Sequence, residues 1–149
     1  MVCAFPPGHP LEDGAVVTTA DLERYPLVLY EPSSRLNLLL AESFLTRKLR
    51  EGAIAEVRYS SLACLLAEAG LGVTVVDSLT GIAGGRYRLS FRPLSPPQLV
   101  PVCILTRAGE PQKRIVGAFL SELRRSPRLA ALGDLQAEGS LSSDEPTQA

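Results

Sequence analysis

The stretch SSLACLLAEAGLGVTVVD, Ser60 to Asp77, sets a helix directly before a buried strand. Two serines at its head read as helix caps, and the helix is expected from about Leu62 to Ala69 with Gly70 closing it. Val73-Thr74-Val75-Val76 is almost wholly β-branched and does not alternate with polar residues, the signature of a strand covered on both faces. A helix feeding such a strand predicts a crossover connection and a parallel sheet.

Upstream, the same unit recurs. Ile54 to Arg58 reads as a strand. Before it, Leu36, Leu39, Leu40, Phe44, Leu45 and Leu49 fall at helical spacing and predict one helix from about Arg35 to Arg50, ended by Gly52. Glu31-Pro32-Ser33-Ser34 supplies a turn and a serine cap, and Leu27-Val28-Leu29-Tyr30 is another uninterrupted apolar run. Thr18 to Glu23 reads as a short helix capped by threonine and stopped by Pro26. Glu12 to Val17 reads as a polar connection, and Val2 to Phe5 as a strand ended by Pro6-Pro7-Gly8.

Downstream, Asp77 to Gly85 is a turn-rich loop with room for one helical turn. Tyr87–Leu94 and Leu99–Thr106 read as strands separated by Ser95-Pro96-Pro97, and Gln112–Arg124 as an amphipathic helix. From Ser126 the pattern is lost, and the polar, acidic end, residues 126–149, is expected to be disordered. The order is β-α-β-α-β-α-β-β-β-α, an α/β protein with a largely parallel sheet.

Composition narrows the function. The 149 residues are 46% hydrophobic and 21% charged, which is globular, and the formal net charge of −1 offers no basic face for DNA. No apolar run is long enough to span a membrane, and MVCAFPPGHP lacks the basic and apolar regions of a signal peptide. Cys3, Cys64 and Cys103 are odd in number and widely spaced, so they are expected to be buried free thiols of a reducing compartment.

Candidate chemistry is sparse. His9, the single histidine, sits in a proline-bounded turn without a cysteine or acidic cluster and makes a poor metal site. Gly81-Ile82-Ala83-Gly84-Gly85 does not have phosphate-loop spacing, and no nucleophile, base and orienting group assemble. No cofactor, metal or catalytic residue is expected. In an open α/β sheet, ligands sit beyond the C-terminal ends of strands, where helix N-termini favour negative charge. Pro32 and Ser33 follow one strand, Ser60 and Ser61 a second, and Asp77 a third. The serines are open to two readings, helix caps or ligand contacts. Asp77 is open to two as well, a loop aspartate or a partner for a ligand amine.

The pieces VCAFPPGHPL (Val2–Leu11), TADLERYPLV (Thr19–Val28), SSLACLLAEAGLGVTVVD (Ser60–Asp77) and RPLSP (Arg92–Pro96), with the closing helix near Phe119, occur in an order that resembles the effector-binding domain of LysR-type transcriptional regulators. The resemblance runs from about Val2 to about Arg125. It implies a fold like a type II periplasmic binding protein, with one complete lobe over residues 11–86 and the returning part of a second over 90–125. The strands near Val2 and Tyr87–Leu94 would cross between lobes.

The resemblance also implies a small-molecule effector, an anion, amino acid or carboxylate, in a cleft lined by Ser60, Ser61 and Asp77, with Pro32 and Ser33 as weaker matches. The family's helix-turn-helix, linker helix and first-lobe opening have no counterpart in these residues. The expectation is therefore a truncated, cytoplasmic sensing domain that is not an enzyme and does not itself bind DNA or membrane. It would assemble as a homo-oligomer or pair with a full-length regulator. The alternative is a protein-interaction fragment that acts through such pairing alone. A transporter's solute-binding protein would share the fold but need an export signal.

Overall fold

Runs of apolar residues without alternation must be covered on both faces, and three of them form the centre of the sheet. β1 (Val2–Phe5), β3 (Leu27–Tyr30) and β5 (Val73–Val76) are buried at every position. The structure is a computed structural model that describes residues 1–82, 86–101, 105 and 114–126. It divides into two compact units, Met1–Leu105 and Thr106–Ala149.

Within the first unit, β2 (Val17–Thr18), β4 (Ala53–Val57) and β6 (Ser90–Ser95) complete a six-stranded sheet of order β2-β6-β1-β5-β3-β4. β3 runs parallel to β4 and β5, and β2 runs parallel to β6, while β1 is antiparallel to both β5 and β6. The largely parallel sheet expected from strand–helix alternation is therefore present, with β1 the one reversed strand among the described residues. This reversal gathers one edge of the sheet. Val2 pairs with Val76 and Pro93, so the start of β1 lies beside the C-terminal ends of β5 and β6, and Tyr30 pairs with Val57 at the ends of β3 and β4.

The helices are cut by local chemistry. α1 (Thr19–Leu22) opens on a reciprocal cap: the Asp21 N–H donates to Thr18 Oγ1 at 3.2 Å, and the Thr18 N–H donates to Asp21 Oδ2 at 2.9 Å. The helix expected from Arg35 to Arg50 is two, α2 (Arg35–Ser43) and α3 (Arg47–Glu51). Thr46 is the cause: its hydroxyl accepts from the Leu49 N–H at 3.2 Å, giving the backbone a cap in place of a helix interior. The break leaves both Phe44 and Leu49 in the core.

α4 (Ser60–Glu68) lays Ala63, Cys64 and Ala67 against β5, β3 and β1. Its small residues allow close approach. It ends as expected at Gly70, whose φ of +80° suits glycine, with Gly70 N–H to Ala67 C=O at 2.9 Å and Leu71 N–H to Leu66 C=O at 3.1 Å. α5 (Ser78–Ile82) occupies the start of the segment read as a loop.

Two expectations shift. β6 begins at Ser90 and not at Tyr87, because the Arg88 N–H is spent on Glu68 Oε1 at 3.0 Å and not on a sheet ladder. Of the expected strand Leu99–Thr106, residues 99–101 and 105 are not in a strand, and the others lie outside the described residues. β2, which pairs with β6 through only Val17 and Thr18, is too short to leave a sequence signal. In the second unit, α6 (Arg114–Arg125) matches the last expected helix, with Ile115 and Phe119 exposed. The tail beyond Ser126 lies outside the described residues, as does Cys103, while Cys3 and Cys64 are buried free thiols.

Candidate functional site

Because β3, β4 and β5 are parallel, the three segments that follow them converge on the same sheet edge: Glu31–Ser34, Arg58–Ser61 and Asp77–Thr80. Ser60 and Asp77, seventeen positions apart, meet there. Ser60 Oγ donates to Asp77 Oδ2 at 2.6 Å. Thr80 donates its N–H to Asp77 Oδ1 and its hydroxyl to Asp77 Oδ2, both at 2.8 Å. Tyr30, at the end of β3, places its phenol oxygen 2.7 Å from Ser60 Oγ.

Electrostatics fix the direction of this chain. Burial acts to push the Asp77 carboxyl up, but the donors from Ser60 and Thr80 outweigh it and hold the group below its ordinary value. Asp77 is then ionised and only accepts, so the Ser60 proton points at it and the Tyr30 hydroxyl supplies the proton to Ser60. Burial pushes the Tyr30 phenol well above its ordinary value, so it keeps that proton. Cys64, behind the cluster on α4, is pushed up to about 11 by burial, with the Asp77 and Glu68 charges adding to it, and so stays a thiol.

The serines do not cap as read from the sequence. Tyr59 is the N-cap of α4 without a side-chain cap, so Ser60 is its first residue and its hydroxyl is committed to Asp77. Ser61 follows, exposed, in the first turn, where backbone N–H groups have no intrahelical acceptor. Ser34 holds the N-cap position of α2, also without a side-chain hydrogen bond.

Beside this cluster is an open groove of about 480 Å³ lined by Glu31, Ser33, Ser34, Arg35, Leu36 and Arg58. Arg58 pairs with Glu31 Oε1 at 2.6 Å, and Ser33 Oγ donates to the same oxygen at 2.9 Å. These two hydrogen bonds, Arg58 first, hold the Glu31 carboxyl below its ordinary value. Pro32 gives only its backbone carbonyl, which accepts from Asn37 Nδ2 at 3.2 Å. The structure therefore joins Ser60 to Asp77, keeps Ser61 beside them, places Ser33 in the adjoining groove and leaves the Pro32 ring exposed.

Sequence reasoning missed Tyr30, Arg58, Glu31 and Thr80. Thr80 had a signal: Asp77 followed three positions later by a hydrogen-bonding residue is an N-cap spacing. Tyr30 had none, since it closes an apolar run and reads as core.

A family model described as the LysR substrate binding domain matches residues 1–128. The chain is 27% identical over 123 residues to the transcriptional activator protein LysR of Escherichia coli, covering 83% of this chain and 40% of that protein. It is 30% identical over 125 residues to the regulatory protein NocR of Agrobacterium tumefaciens, covering 82% of this chain and 41% of that one. Thus the chain spans about two-fifths of the length of these relatives. Among solved structures, the cofactor-binding domain of the Cbl transcriptional regulator superposes with a TM-score of 0.51 at 18% identity, covering 80% of this chain and 53% of that one.

Proposed function

The chain belongs to the LysR substrate-binding domain family, the effector-binding portion of LysR-type regulators, and on that premise we propose that its effector is met at the C-terminal edge of β3, β4 and β5. The observation that carries this is the convergence of Ser60, Asp77 and Thr80 with the Ser33–Arg58 groove where three parallel strands end. Ser60, Ser61, Asp77 and Ser33 are the contacts or positioning groups. Pro32 sets the turn before α2 through its carbonyl.

The fold is a mixed α/β sheet of the type II periplasmic-binding-protein-like kind. Residues 11–86 as one lobe and 90–125 as the returning part of another belong to the same proposal, with the paired strands β1 and β6 as the crossovers. In a regulator that contains such a domain, effector occupancy would bias a homo-oligomer and so the transcription of its targets. The two relatives described above are a transcriptional activator protein and a regulatory protein. Among the described residues no helix is long and apolar enough to cross a membrane.

The test is titration calorimetry of the chain against a panel of short acids, amines, amino acids and polyols. At least one compound should give a saturable isotherm, and Ser61→Ala or Ser33→Ala should weaken it about fivefold, the worth of one neutral hydrogen bond. Binding indifferent to both substitutions, or no binding across the panel, would overturn the assignment of this edge.

A further inference from the structure

Nothing of the opposite sign among the described residues contacts the negative charge of Asp77. Among the described residues it enters no ion pair; its partners are the Ser60 hydroxyl and the Thr80 hydroxyl and N–H, all neutral. Arg58, at the same edge, is already held by Glu31. The Met1 amino group lies within the electrostatic reach of Asp77 but gives its hydrogen bond to the Gln98 carbonyl at 2.6 Å. The field of Asp77 reaches Tyr30 and Cys64 as well, helping to keep both protonated.

The hydroxyl protons around it all point inward. Tyr30 donates to Ser60, Ser60 donates to Asp77, and Thr80 donates to Asp77. Ser60, Asp77 and Thr80 are only half-buried, so their remaining valences are reachable, and every one of these is a lone pair. Such a cluster accepts and does not donate. It repels a carboxylate and suits a charged donor.

We propose that the Ser60–Asp77–Thr80 cluster receives a cationic donor of the effector, an ammonium or guanidinium group, and that any carboxylate of the same effector lies elsewhere, toward Ser61 and the Ser33–Arg58 groove. This rests on the reading of the strand edge as the effector site and specifies which end of the ligand goes where. A charge-assisted hydrogen bond to a half-buried carboxylate is about twice as strong as a neutral one, so the cation dominates selection at this point.

Three compounds of one chain length separate the outcomes: 1,4-diaminobutane, 4-aminobutyrate and succinate, each titrated into the chain and followed by amide NMR. The two amines should shift the amides of residues 60–61 and 77–80, succinate should not, and Asp77→Asn should weaken 4-aminobutyrate at least about tenfold. If Asp77→Asn does not fold, the wild-type chain supplies the check: the amine shifts should weaken severalfold on going from low salt to about 1 M. Succinate moving residues 60–61 and 77–80 while the amines do not would overturn the cation preference and leave the effector edge standing. Silence at this edge from all three compounds, with the calorimetric hit also silent there, would overturn both. Silence from the three with the calorimetric hit active there would overturn the cation preference if that hit carries no cation.

Discussion

Tyr30 shows why the candidate site was only partly legible. Its ring belongs to the buried run Leu27–Tyr30, and only its oxygen reaches Ser60. A sequence pattern reports the ring and is silent about the oxygen. Ser60 and Asp77 were legible because they follow strands, but their contact depends on the parallel pairing of β3 with β5 and on the seat of α4. Tyr30→Phe should leave Ser60 without its donor while keeping the packing, at a cost of about 1 kcal/mol in urea unfolding.

His9, read as a turn residue, caps a short helical turn at Pro10–Asp13. Its Nδ1 accepts from the Leu11 N–H at 3.2 Å, and its ring contacts Phe5 and Tyr25. Burial lowers its affinity for a proton, against the opposing charge of Glu12. A lowered native value means that the unfolded chain binds more protons as pH falls. Stability contributed by neutral His9 is complete above the unfolded value of about 6.5 and is lost as pH falls through the lower native one. Urea midpoints should therefore decline between about pH 7 and pH 5, and His9→Asn, which retains a capping oxygen, should flatten that slope. An unchanged slope would place the dependence on other groups.

At the scale of elements, what the sequence carried well was periodicity and punctuation. Apolar runs marked β1, β3 and β5, and Gly70 marked the end of α4. What it carried poorly was competition between equally local choices, as at Thr46, where a cap interrupts an otherwise continuous helical stripe. Gly72 makes the element-scale prediction. A Cβ there would stand 2.4 Å from the Pro26 carbonyl oxygen and 2.9 Å from its carbon, both backbone atoms. That carbonyl accepts from the Val73 N–H at 2.9 Å where β5 enters the sheet beside β3. Gly72→Ala should therefore force the two segments apart and cost about 2 kcal/mol or more in chemical unfolding. Thr18→Ala, which removes one half of the α1 cap, should cost about 1 kcal/mol by the same measurement.

For the molecule, the sheet order decides where the candidate site lies. Among the described residues five strands run one way, so the polar groups that follow the parallel β3, β4 and β5 collect on one edge, and the reversed β1 sets its start beside them. The opposite edge holds turns, Pro6–Gly14 and Gly70–Gly72, tied by backbone and side-chain hydrogen bonds such as Arg92 to the carbonyls of Glu12 and Gly14, each at 3.0 Å. That asymmetry was implicit in the strand–helix alternation. The reversal of β1 had no counterpart in the sequence reading, because a four-residue apolar run carries no sign of its direction.

Hydrogen–deuterium exchange of the chain, with and without the strongest compound from the calorimetric panel, tests the effector edge most directly. Added protection should concentrate at residues 31–34, 58–61 and 77–80. Protection confined to the opposite edge, at residues 6–14 and 70–72, would contradict the placement of the effector site.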